Sequence, residues 1–263
     1  MQLFAVPIVK NRVAYYCHST LPTTSRLTKL VNWSNKKWEE LGDAKEDSWK
    51  KKLYGKGNDI MDRIDYQEWF LKGVPTKEHI EQPPSKVITF HPSALASFDI
   101  ERDLKTILKE KGPYHYKYMK YSVFWIPISC TFVVVPLIPN IPLAYNLFRL
   151  YSHYKAYKGA EYLEHLFDEG GVHYQISESI DKIIHSEYLV SPQDIVFPEK
   201  VIHSYKQTSK LAPHILDDDI PGALTRRAIS ELAHQWEVPA LESELLRART
   251  QILTSVFLEQ QQQ

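Results

Sequence analysis

The sequence predicts a mainly helical α+β protein: a helical domain with a small N-terminal β-hairpin and a proline-interrupted apolar membrane segment or hairpin. Three observations carry this. Residues 2–9 and 12–18 are β-rich runs separated only by Lys10 and Asn11, a gap of turn length. Over much of the remaining chain, apolar residues recur at helical intervals. Residues 121–148 are 28 consecutive positions without Asp, Glu, Lys, Arg or His, in a chain where charged residues make up 24%.

Taken in order, these divide the chain into a β-hairpin and helical region (1–120), the apolar segment (121–148), a membrane-flanking helix (149–170) and a C-terminal helical region (171–263). Leu27, Leu30, Val31, Trp38, Leu41, Trp49 and Leu53 predict an amphipathic helix over 26–53. Ile60 and Ile64 mark a shorter one ending before Gly73. Residues 86–91 read as a strand closed by Pro92. A helix over 93–111 carries Leu95, Phe98, Leu104, Ile107 and Leu108, and Gly112-Pro113 is expected to stop it. Residues 143–168 form a strong helix ended by Gly170-Gly171, with Arg149 and His153 one turn apart. A helix over 176–188 precedes short mixed elements over 191–213. The acids Asp217, Asp218 and Asp219 suit a cap and turn rather than a calcium loop, because they lack alternating ligand spacing. Leu224, Ala228, Leu232 and Trp236 line a helix broken at Val238-Pro239, and a last helix spans 241–258. The natural role of these C-terminal stripes is packing on the domain, with docking of another subunit as the alternative.

Composition excludes several classes. Lys plus Arg and Asp plus Glu balance at 32 each, which argues against a nucleic-acid partner. Only nine glycines are present, with no phosphate-cradling pattern. Cys17 and Cys130 are too few and too far apart for a zinc framework. The eleven histidines form no metal motif, and no nucleophile elbow occurs. The expectation is a protein that is not an enzyme and needs no cofactor or metal. Residues 1–38 hold six lysines and arginines and no acid, which is compatible with mitochondrial import.

Three arrangements of the apolar run compete. One is a kinked span over about 121–138, one a re-entrant hairpin turning at Pro136-Leu-Ile-Pro139-Asn140-Ile-Pro142, and one a buried core hairpin. Membrane association is favoured, with tyrosines and lysines at both margins. Six lysines and arginines precede the run within twenty residues and three follow it, which would hold the N-terminal flank inside; for a hairpin this count decides nothing. The run's polar groups, Ser129, Thr131, Asn140 and Asn146, and its breaks at Pro136, Pro139 and Pro142, mark an ion path or a membrane break. Beyond it, Arg149, His153 and Lys158 are candidates for contact with membrane lipid such as cardiolipin. His153 could sense pH near neutrality, but an ordinary surface or hydrogen-bonded histidine is the favoured reading.

The block from Pro136 to Gly159, together with Tyr15-Tyr-Cys-His18, Lys52-Leu-Tyr-Gly55 and Asp62-Arg-Ile64, resembles the mitochondrial K+/H+ exchange-related family of fungal type, over roughly residues 1–170. The resemblance implies a mitochondrial inner-membrane protein serving potassium–proton exchange, and with it matrix volume and cation balance; it brings no catalytic residues. A run without charge and a chain without internal repeats suit an accessory or regulatory subunit better than an autonomous antiporter. Its partners would be an unidentified inner-membrane protein or further copies of itself, with K+ and H+ as cargo if the chain moves ions. The alternative is a scaffold that binds lipid or a partner without transport.

Overall fold

The computed structural model describes residues 1–19, 36–76, 84–131, 141–209, 211 and 213–262. Within them the chain is mainly helical, and the N-terminal hairpin is part of a mixed sheet. Two compact units form, each from separate stretches of sequence: one from Met1–His18, Lys86–Ile107 and Leu166–Gln263, the other from Ser19–Ser85 and Leu108–His165.

The first unit holds the sheet. Strands β1 (Gln2–Val9) and β2 (Arg12–His18) pair antiparallel, with Gln2 opposite His18 and Val9 opposite Arg12. Asn11 takes the turn at φ 67°, a left-handed conformation that asparagine tolerates better than most residues. Strand β3 (Val87–His91) lies parallel to β1, and β4 (Val172–Ile176) parallel to β3, giving the order β2-β1-β3-β4. β1 is a near-continuous apolar run because it is covered on both faces: Leu3, Phe4, Ala5, Val6 and Ile8 are all buried. Phe4 packs against Trp236 and Phe90, with ring centroids 3.8 and 5.9 Å away. Helices α5 (Glu178–Ser186), α6 (Glu199–Thr208), α7 (Arg226–Gln235) and α8 (Pro239–Gln261) complete this unit. Arg249 of α8 is buried and donates to the carbonyls of Leu216, Leu224 and Asp218, tying the turn of three aspartates to the core.

The second unit is helical. Residues 36–42 are helical, followed by α1 (Trp49–Asp62, capped by Ser48) and α2 (Tyr66–Gly73, capped by Asp65). Its other described helices are the greater parts of two long ones, α3 (Ser97–Thr131) and α4 (Ile141–Asp168). Gly112 faces Ala160, Tyr116 stacks near Tyr157, His115 meets His153, and Asn146 donates to the Ser122 carbonyl. Numbers rise along one helix as they fall along the other, so the two arms run antiparallel.

Several expectations are corrected. The helix expected to stop at Gly112-Pro113 continues through Pro113 and Pro127 to Thr131. Each proline removes one backbone N–H, but packing along the arms outweighs that loss. The single helix over 26–53 is interrupted, since Ser48 caps a new start at Trp49. A strand, β4, precedes the helix that was expected from Ile176 and that begins at Glu178. No helix among the described residues is long and apolar enough to cross a membrane, and the far part of the span expected over about 121–138 lies outside the described residues. The expectations for Pro136, Pro139 and Asn140 lie outside the described residues.

Candidate functional site

The arms of the α3–α4 hairpin are inside-out toward the end where α3 finishes and α4 begins. Ser122 and Ser129 are buried, at 8% and 7% exposure, whereas Phe124 is 69% exposed and Val123, Trp125 and Ile128 are exposed with it. Tyr145 and Leu147 are exposed on α4. Ser129 returns its hydroxyl hydrogen to the Trp125 carbonyl and Thr131 to that of Ile128. Asn146 spends its amide on the Ser122 carbonyl, joining the arms. Among the described residues, Ser122, Ser129, Thr131 and Asn146 are therefore turned inward or onto the hairpin's own backbone, and Val123, Phe124, Trp125 and Ile128 outward. In water this arrangement is unfavourable; in hydrocarbon it is the required one. Pro142 is exposed near the start of α4.

Behind this apolar end lies a zone of cations and aromatic rings. Lys120 sits over Tyr116 at 4.1 Å, Lys117 over Tyr121 at 5.8 Å and Lys158 over Tyr157 at 5.8 Å. From Lys111 to Ala160 the chain has six lysines and arginines and no acid. Lys158 also pairs with Glu161 at 2.9 Å.

Deeper between the arms is a buried polar cluster. Glu68 of α2 receives both arms of the Arg149 guanidinium, at 2.8 and 3.2 Å, and the Ser152 hydroxyl at 2.6 Å. Arg149 also donates to Nε2 of His153 at 3.0 Å. A guanidinium has no acceptor, so Nε2 of His153 holds its lone pair there and the proton sits on Nδ1. That proton points at Nδ1 of His115, 3.0 Å away, which must accept it. His115 therefore carries its own proton on Nε2, and that nitrogen, although buried, has no hydrogen-bond partner among the described residues. One fixed cation sets the tautomer of two histidines in series.

Burial lowers the pKa of both imidazoles to about 4, with the Arg149 charge adding to the effect and Glu68 opposing it. Both are neutral at pH 7, so His153 is not the near-neutral titrating group expected of an isolated imidazole. Burial alone would raise the Glu68 carboxyl, but the Arg149 and Ser152 hydrogen bonds and the Arg149 charge outweigh it and hold the group below the usual range.

Ligand atoms of Glu68, His115 and His153 lie within 4.8 Å of one another, a donor set of the kind zinc uses. The hydrogen bonding opposes that use. A cation on both Nδ1 atoms would require the His153 proton on Nε2, facing an Arg149 N–H, and would bring a second positive charge to Arg149. The cluster is better suited to holding the arms and α2 together.

Of the residues singled out from sequence, Arg149 and His153 are thus drawn inward to Glu68, and Lys158 lies at the arm surface. Glu68 and His115 complete the cluster and carry no local sequence signal, since they lie 81 and 34 positions from Arg149.

The sequence profile of a family described as mitochondrial K+-H+ exchange-related matches residues 2–167. An uncharacterized protein of Schizosaccharomyces pombe is 27% identical over 189 residues, covering 70% of this chain and 83% of its own length. An uncharacterized protein of Saccharomyces cerevisiae is 24% identical over 212 residues, covering 68% of this chain and 66% of its own length. No solved structure matches. The matched region includes β1, both arms of the hairpin and the whole of the buried cluster; the chain belongs to the mitochondrial K+-H+ exchange-related family.

Proposed function

We propose that the chain is an accessory or regulatory protein of the mitochondrial inner membrane that supports potassium–proton exchange, held there by the apolar end of the α3–α4 hairpin. The observation that carries the reading is the reversal of polarity in α3, with Ser122 and Ser129 inward and Val123, Phe124, Trp125 and Ile128 outward. An apolar surface of this kind gains roughly 25 cal/mol for each Å² taken from water. The arms run side by side, so both flanks return to the same face, and the lysine count on either flank gives no orientation. Residues 122–131 rise about 14 Å at 1.5 Å per residue, well short of a ~30 Å hydrocarbon core.

The apolar run holds no Asp, Glu, Lys, Arg or His, and Ser129, Thr131 and Asn146 each donate to a backbone carbonyl within the hairpin. That supports an accessory role over an ion path formed by the chain alone. The test uses mitochondria lacking the protein, swollen in potassium acetate. Wild-type protein restores the exchange rate, and Phe124→Ser with Trp125→Ser does not. Potassium-dependent proton flux from liposomes containing only the purified chain would contradict the accessory role.

A further inference from the structure

We infer that a groove on the hairpin binds one acyl chain of an anionic phospholipid; the inference rests on the membrane reading above and narrows it to a site. The groove, about 480 Å³, runs between the two arms and is walled by Met119, Val123, Leu147, Leu150 and Tyr151, with Lys120 as its charged residue. Its volume falls in the ~300–1,000 Å³ range of small-ligand sites, and its lining is mainly apolar, as such sites are.

Two features select the occupant. First, Val123 and Leu147 belong both to the groove wall and to the exposed apolar surface, so the groove opens directly onto the part of the hairpin that would enter lipid. A chain lying in it continues the hydrocarbon phase rather than leaving it. Second, the charge is one-sided. Lys120 stands at the groove over the Tyr116 ring, Lys117 lies on the same helix, and no acid occurs from Lys111 to Ala160. A phosphate headgroup meets cations there, whereas a second copy of this hairpin would meet its own charge. The apolar walls give an acyl chain contact without demanding hydrogen bonds.

The full chain is purified in detergent and its bound lipid measured by native mass spectrometry; in parallel it is floated with phosphatidylcholine vesicles with and without cardiolipin. The expected result is one phospholipid retained per chain, anionic in preference to zwitterionic. Leu150→Trp fills the groove and removes the retained lipid. Lys120→Gln leaves the walls intact and lowers the preference for anionic lipid by about fivefold, the loss of one lysine at a charged surface. Both variants still float and keep the wild-type melting transition. Wild-type protein that floats but retains no lipid, or retains it indifferently to both substitutions, overturns the groove site alone. Wild-type protein that floats with neither vesicle overturns the site and the membrane reading together.

Discussion

Arg149 donates to Nε2 of His153 across 3.0 Å, and this contact settles where two buried protons sit. Because the guanidinium accepts nothing, His153 is protonated on Nδ1 and His115 on Nε2, and neither ring gains a second proton until about pH 4. In the unfolded chain both imidazoles would take up a proton near the ordinary value of 6.5. Between pH 6.5 and about 4 the unfolded state therefore binds more protons, and stability falls as pH is lowered through that window. Nitrogen-15 spectra at neutral pH are expected to show opposite tautomers for the two rings. Thermal melts should fall more steeply over this window in wild type than in His115→Leu.

Glu68 is the one carboxylate in contact with the Arg149 guanidinium among the described residues, and both groups are largely withdrawn from water. Glu68→Ala leaves Arg149 uncompensated and is expected to cost about 3–5 kcal/mol in chemical denaturation. Glu68→Leu combined with Arg149→Met removes both charges and should be less destabilising than Glu68→Ala. A double variant worse than the single would contradict the pairing.

How much of this was legible in advance depends on distance along the chain. The β-hairpin was, because its two β-rich runs and its Lys10-Asn11 turn are local. The end of α4 was, because Gly170 sits at φ 67°, where glycine is at ease. β4 was not: Val172, Tyr174 and Ile176 alternate with His173 and Gln175, but five residues are a short run, and the partner strand lies some eighty residues earlier. Helix α3 was cut short at Gly112-Pro113, since a local rule sees the missing N–H and not the packing of His115 and Ser122 against α4. Arg149 and His153 stood out by their one-turn spacing. Glu68 and His115 reach them only through the fold.

Gly159 offers a test of how closely α4 approaches α2. It is buried, and a methyl group built on it overlaps the carbonyl oxygen of Leu71. By helix propensity alone, Gly159→Ala would gain up to about 1 kcal/mol. The clash with backbone reverses the sign, and a net loss of about 1–3 kcal/mol is expected in urea denaturation.

Arg249 plays a different part in the first unit. It satisfies three carbonyls from one buried side chain, at 2.6 to 3.0 Å. Arg249→Met strands all three and is expected to cost at least about 3 kcal/mol. Arg249→Lys should recover only part of this, because an ammonium cannot reproduce the planar fork. Denaturant midpoints of the two variants check the order.

The apolar end of the hairpin carries the account, and the chain holds a probe there. Cys130 is exposed among Ile128, Ser129 and Thr131, while Cys17 is buried in β2. An NBD fluorophore attached to Cys130 of the full chain, titrated with phosphatidylcholine–cardiolipin vesicles, measures insertion directly. A blue shift on adding vesicles and protection from external dithionite are expected. Emission that stays at its aqueous wavelength, with the label still open to dithionite when vesicles are in excess, would contradict insertion.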